Sequence, residues 1–368
     1  MNAFANLKLR WKLVAIVIIP VLCLIYFAQS AVQENSTIVD ENEQILRLSQ
    51  FAVNASALVH EMQKERGVTA GFMGSKGSKF SNEIVEQRKL VDEKGKTLLA
   101  FLNDFEATRF GSEFDKQLRK AMSMYKGLSQ IRSRVSGFTI ARGDAIGYYT
   151  KMNAAFLEAI TYLAKSSSLG ELSNMATAYV NFLNSKERAG IERAVMTSVF
   201  ALDNFPAGLY DRFQSLMTIQ NVYLNVFKSL ASDEQLSYLN NTLQGDAVDA
   251  TEQMRNTAIE RSQTGGFEVD PSFWFKMQTT KINLLKKVED KLSNDLESLA
   301  TKLSQDASAT LTFSVTMMLS ALVLTALFVY FVQRRITVPI SESVAVANAI
   351  ANGKLDNRIT VSSKDESG

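Results

Sequence analysis

Cysteine, histidine and proline are all scarce in this chain of 368 residues, and each shortage excludes something. A single cysteine, Cys23, excludes an intrachain disulfide, and its apolar surroundings speak against a catalytic thiolate. A single histidine, His60, leaves no His-rich metal constellation and no acid–base pair beside a recognisable nucleophile. The chain is therefore not expected to be an enzyme, and no cofactor or metal is expected. Only four prolines interrupt it, and no period-2 alternation of useful length signals a strand. The formal net charge of +2 gives no reason to expect nucleic acid as a partner.

What is abundant is Ala, Leu, Lys, Glu, Gln and Asn, residues that favour helix, in a composition that is 46% hydrophobic and 21% charged. Two apolar runs stand out. Leu13 to Val32 and Leu311 to Val332 carry no charged residue over 20 and 22 positions, each long enough to cross a bilayer as a helix. The first lacks a clear small-x-small cleavage site and reads as an uncleaved anchor. Lys8, Arg10 and Lys12 precede it, and Arg334 and Arg335 follow the second, so both flanks are expected to be cytoplasmic. Trp11 and Tyr330 suit interfacial belts. This layout predicts residues 1–12 inside, spans at 13–32 and 311–332, an external domain at 33–310 and a cytoplasmic segment at 333–368.

The external region reads as helices. Ile38, Ile45, Leu48, Ala52, Ala55, Val59 and Met62 recur at three, four or seven, one helical stripe. Breaks are expected at Gly74 to Ser78, near Thr108 to Ser112, Gly137 to Asp144, Ser166 to Gly170, Asp203 to Gly208, Ala231 to Asp233 and Thr264 to Pro271. About eight helices result, enough for two four-helix bundles. A faint internal repeat sets "KERG", from Lys64, against "KERAG", from Lys186. The phenylalanines within Phe200 to Phe213 and Phe267 to Phe275 read as core or bundle caps.

Beyond the second apolar run, Pro339 fits a helix start, and Ile340, Val344, Ala347 and Ile350 follow at heptad-like spacing. Gly353 ends the helix, and Leu355, Ile359 and Val361 alternate in a connector toward Asp365, Glu366 and Gly368. This arrangement resembles the first half of a HAMP signal-relay domain, which implies a parallel homodimer. A second resemblance covers most of residues 40–300. "HEMQKERGVTAGF", the stretch holding Gln87, Arg88 and Asp92, "SKERAGIERA" and "FQSLMTIQNVYLNVFKSLA" together resemble the nitrate- and nitrite-sensing (NIT) domain. That likeness implies an all-α fold of two stacked up-down four-helix bundles outside the membrane, flanked here by two transmembrane helices and a partial HAMP helix. It also implies nitrate or nitrite as ligand.

Nitrate is planar and singly charged, and the flat, permanently charged fork of arginine suits it. Arg66 has Met62, Gln63, Thr69 and Ala70 at i±3 and i±4, and Arg193 has Ala189, Gly190 and Thr197, so both guanidiniums are expected to point inward among small residues. Glu65 and Glu192 project about 100° away and need not neutralise them. Arg188 and Arg255 are further ligand candidates. Arg88 is expected to pair with Asp92, and His60 to face elsewhere as an ordinary histidine. The whole reads as a sensor in the bacterial inner membrane with its sensing domain periplasmic. It would report to cytoplasmic signalling proteins, chemotaxis first, with kinase or cyclic-dinucleotide outputs as alternatives. A sensor of another small ligand, or a docking module for a periplasmic binding protein, is the competing reading.

Overall fold

The structure is a computed structural model that describes residues 9–166 and 170–354. Among these residues every regular element is helical. The helices are α1 (Leu9–Gly74), α2 (Ser81–Asn103), α3 (Ser112–Ser136), α4 (Arg142–Ile160), α5 (Tyr162–Ser166), α6 (Gly170–Leu202), α7 (Leu209–Leu230), α8 (Asp233–Thr242), α9 (Asp246–Glu260), α10 (Pro271–Val332) and α11 (Val338–Ala351). A 3₁₀ turn at Ala107–Phe110 precedes α3, and a π-helical stretch at Gln333–Thr337 precedes α11.

The expected breaks at residues 74–78, 137–144, 203–208, 231–233 and 264–271 fall where helices end and begin. Two interruptions escaped the sequence reading. One is the single residue Thr161 between α4 and α5, and the other is Leu243–Gly245, which separates α8 from α9. Local chemistry accounts for several boundaries. Ser232 accepts from the Gln235 backbone N–H, and the Gln235 side chain accepts from the Ser232 backbone N–H, a complete capping box for α8. Gly208 takes the left-handed conformation before α7, and Gly353 does so after α11, where a side chain would be strained.

The chain divides into two compact units, Glu43–Lys302 and Met1–Asn42 with Leu303–Gly368. In the first, the α1 stripe is buried as its spacing predicts, with Ile45, Leu48, Ala52, Ala55, Val59 and Met62 all in the core. Ile38 is the exception: it is 41% exposed and belongs to the other unit. Polar bonds tie α1 to α2, α3 and α4, through Gln87, Arg132 and Tyr149. A matching set ties α6 to α7, α9 and α10, through Gln220, Arg255 and Trp274. Ser56 with Tyr179, and Arg66 with Glu187, join α1 directly to α6. Phe200, Phe213, Phe267 and Trp274 close one core cluster, as the sequence indicates for these aromatic stretches.

In the second unit, one helical stretch among the described residues, within Pro271–Ala351, is long and apolar enough to cross a membrane, and none of its apolar window is buried. Phe313, Leu324 and Phe328 are all exposed. The expected span at 13–32 lies on α1, but the side chains of residues 13–17, 19 and 24 are outside the described residues. Pro339 does stand at the start of α11. The connector and the Asp365–Gly368 ending lie outside the described residues.

Candidate anion-binding site

Arg66 and Arg193 are among the most deeply buried side chains of the molecule, 1% and 2% exposed. The long helices that carry them, α1 and α6, lie side by side, and each arginine reaches toward the other helix. The guanidinium of Arg66 abuts Gly190, where a Cβ would come within 2.8 Å of Nη2. The guanidinium of Arg193 abuts Gly67 still more closely, on Nη2. The small residues beside these arginines therefore do supply room, and the room on each helix is taken by the arginine of the other.

Their electrostatic surroundings differ sharply. Arg66 holds Glu187 in a two-pronged pair, Nη1 donating to Oε1 at 2.5 Å and Nη2 to Oε2 at 3.2 Å. Nη1 also donates to Thr150 Oγ1 at 3.2 Å. Arg193 has no carboxylate within ion-pair distance among the described residues. It donates to Thr279 Oγ1 at 2.8 Å and to the Gln63 carbonyl at 3.2 Å, and it lies 4.7 Å from the centre of the Phe275 ring. Gln63 links the two arginines, since its side-chain amide also donates to Glu187 at 2.7 Å. Burial pushes Arg193 down to about 9, helped by the charge of Arg66 and opposed by the more distant Glu187. Two buried guanidiniums thus share one carboxylate, and the cluster carries one excess positive charge. The Nε–H donors of Arg66 and Arg193 are both buried and unpartnered. An uncompensated buried charge costs several kcal/mol, and a monovalent anion with acceptor oxygens is what would offset it.

Glu65 and Glu192 turn away as their positions on the helices predict. Glu65 accepts from Arg132 Nε and Nη2, at 2.7 and 2.6 Å, and from the Tyr149 hydroxyl at 2.6 Å. Glu192 accepts from Arg255 Nε at 2.6 Å, with a second bond from Nη2 and further bonds from Gln220 and Gln278. Each Glu-Arg dipeptide therefore sends its acid to an arginine of its own helix set and its arginine to the opposite long helix. This corrects the register of the repeat: Glu65-Arg66 corresponds to Glu192-Arg193, not to Glu187-Arg188. Six residues before Arg193 stands Glu187, and six before Arg66 stands His60. Burial, then Lys186 and other nearby cations, hold His60 well below 6.5, so no second carboxylate completes the pattern.

The other two candidates lie elsewhere. Arg255 is committed to Glu192 and also pairs with Glu252 at 3.1 Å. Arg188 is half-buried against the face of Tyr223, 5.9 Å from the ring centre. Arg88 does not pair with Asp92. Asp92 is held by Arg132 at 2.6 Å, while Arg88 donates to Ser136 and approaches Glu65 at 3.6 Å. The helix spacing could not reveal this, because Arg132 arrives from α3. Sequence reasoning also missed Glu187, Thr150, Thr279 and Phe275 around the arginines. Phe275, read only as core, packs its ring on Arg193.

A cleft of about 450 Å³ opens beside Arg66, with walls from α4, α6 and α7. Arg193 does not line it.

The nitrate and nitrite sensing (NIT) family matches residues 57–297. The chain is 27% identical over 261 residues to the nitrate regulatory protein of Klebsiella oxytoca, covering 70% of this chain and 65% of that protein. It thus spans under two thirds of the length of that relative. The fold is similar to the structure of the NasR transcription antiterminator, with a TM-score of 0.67 and 23% identity over 81% of this chain and 84% of that one. On the breadth of the first match, which takes in both arginines and every partner named above, the chain belongs to the nitrate and nitrite sensing family.

Proposed function

We propose that this protein is a membrane-anchored sensor that binds one nitrate or nitrite ion against Arg66 and Arg193. The single observation that carries the reading is the charge count of the buried cluster: two guanidiniums, one carboxylate, and two free Nε–H donors. An anion beside Arg193 supplies the missing charge and accepts those donors. Chloride offers charge without the planar array of acceptors that an arginine fork matches. Arg188 and Arg255 serve as supporting residues in this reading, Arg255 by holding Glu192 off Arg193.

Binding changes the balance of forces on α10, which presents Thr279 and Phe275 to Arg193. The sequence of α10 runs on into the exposed apolar stretch and then to α11, so a shift in α10 is the output motion we assign. In this account the sensor helices form two stacked four-helix bundles on the periplasmic side, residues 13–32 and 311–332 span the inner membrane, and 333–368 begin a HAMP relay in a homodimer. The output is chemotaxis signalling. The exposure of Ile340, Val344 and Ile350 on α11 supports the parallel pairing such a relay needs.

The test is a thermal-shift panel on the full chain in detergent, with nitrate, nitrite, chloride and acetate. The expected result is stabilisation by nitrate or nitrite alone, lost in Arg193→Met. Equal stabilisation by all four anions, or by none, would overturn the reading.

A further inference from the structure

The cleft beside Arg66 points to a function of its own, and we infer that it is the entry vestibule through which a hydrated anion reaches the buried arginines. The inference rests on the nitrate-sensor reading and extends it to residues outside the buried cluster. Among the described residues, four cationic side chains line the cleft, Arg66, Arg142, Lys151 and Arg212, and no aspartate or glutamate does. Arg142, Lys151 and Arg212 are exposed and take part in no ion pair among the described residues, whereas Arg66 is 1% exposed. Positive charge thus runs from the solvent-facing rim to a buried guanidinium whose Nε–H is unpartnered.

Backbone dipoles add to this field. Arg142 and Leu209, the first residues of α4 and α7, both line the cleft, and neither helix has a side-chain cap on its first N–H groups. Asp144 and Asp211 lie in those first turns but do not line the cleft. The α4 wall is recessed by Gly143 and Gly147, one turn apart, where an added Cβ would meet nothing within 4 Å. A volume of about 450 Å³ is far more than a trigonal anion fills, given that one water occupies roughly 30 Å³ in the liquid. The cleft is therefore built to admit an ion with its water and to concentrate it, while the tight binding geometry belongs to the buried pair. Charge of one sign lining a low-dielectric cleft raises association rates steeply at low ionic strength.

Trp274 provides the reporter, because its indole N–H donates to the Arg193 carbonyl at 3.1 Å. The chain has two tryptophans, so Trp11→Phe leaves Trp274 alone. Stopped-flow fluorescence of the W11F chain in detergent, mixed with sodium nitrate, gives association and dissociation rates. Lys151→Glu with Arg212→Glu is expected to slow association by about 10-fold or more at low salt, with the difference closing as ionic strength rises. The dissociation rate should stay within about twofold, and Lys151→Arg with Arg212→Lys should behave as the parent. Gly147→Leu should slow association and dissociation together by filling the recess, leaving Kd nearly unchanged. Unchanged association in the charge-reversed variant, beside normal nitrate binding in the parent, would overturn the vestibule and leave the sensor intact. Absence of nitrate binding in the parent would overturn both.

Discussion

Replacing either buried arginine with methionine keeps most of the side-chain length and removes the charge, yet the two replacements should act in opposite directions. Arg66→Met strands Glu187, which is buried and among the described residues would keep only the Gln63 amide as partner. Breaking a buried ion pair from one side costs about 3–5 kcal/mol. Arg193→Met strands no carboxylate. A guanidinium held down to about 9 carries a burial penalty on the order of 5 kcal/mol. The two hydrogen bonds and the ring contact that methionine forfeits are worth together about 2–3 kcal/mol. Thr279 keeps a bond to the Phe275 carbonyl, so losing Arg193 does not leave that hydroxyl orphaned. At about 2–3 °C per kcal/mol for a unit of this size, Arg66→Met should lower the melting temperature by about 6–15 °C. Arg193→Met should raise it by about 4–9 °C. The assay is thermal unfolding followed by far-ultraviolet circular dichroism in nitrate-free buffer. Equal destabilisation by the two substitutions would refute the claim that Arg193 is the uncompensated charge.

Three further outcomes follow from the same geometry. Gly67→Ala puts a methyl against Arg193 Nη2 and should weaken nitrate binding by about 10-fold in a titration, while better helix propensity of about 1 kcal/mol keeps the melting temperature close to that of the parent. Arg132→Met removes the shared partner of Glu65 and Asp92 and should cost about 3–5 kcal/mol in urea unfolding, with no loss of nitrate response in the folded fraction. His60 should impose a pH dependence. Burial and Lys186, with Lys286, Lys64 and Arg193 behind them, keep the folded histidine neutral, and among the described residues the one carboxylate within ion-pair distance is Glu61 at 3.9 Å. The unfolded chain takes up a proton near 6.5 and the folded chain does not, so stability is full above that value. It falls as the pH drops below it, by up to about 1.4 kcal/mol per pH unit. His60→Gln should flatten that slope between pH 6.5 and 5, measured by denaturant unfolding.

Helices were legible in the sequence because they rest on local signals: few prolines, the α1 stripe and the glycine- or aspartate-marked breaks. Thr161 and Leu243–Gly245 were not, since the first is a one-residue step and the second carries a single glycine in a polar helical pattern. The arginines were legible for a related reason. An arginine whose neighbours at i±3 and i±4 are small or apolar, as with Arg66 and Arg193, signals an inward charge from spacing alone. Their partners were not, because Glu187, Thr150, Thr279 and Phe275 come from other helices, and periodicity says nothing about which faces meet. Arg88 and Asp92 show the opposite hazard. Their i, i+4 spacing promises a pair, but Arg132 from α3 takes the acid. The repeat register failed similarly: Lys-Glu-Arg matches Lys-Glu-Arg by letters, while the fold matches Glu65-Arg66 with Glu192-Arg193 through what each side chain holds.

On the proposed function, one net positive charge is buried between α1 and α6 to receive one anion. The decisive experiment is calorimetric titration of this chain with sodium nitrate, with Arg193→Met and Glu187→Gln alongside. The expected result is one nitrate per chain, no binding to Arg193→Met, and tighter binding to Glu187→Gln, in which the two guanidiniums have lost the one carboxylate near them. Nitrate binding to Arg193→Met with unchanged affinity would contradict it.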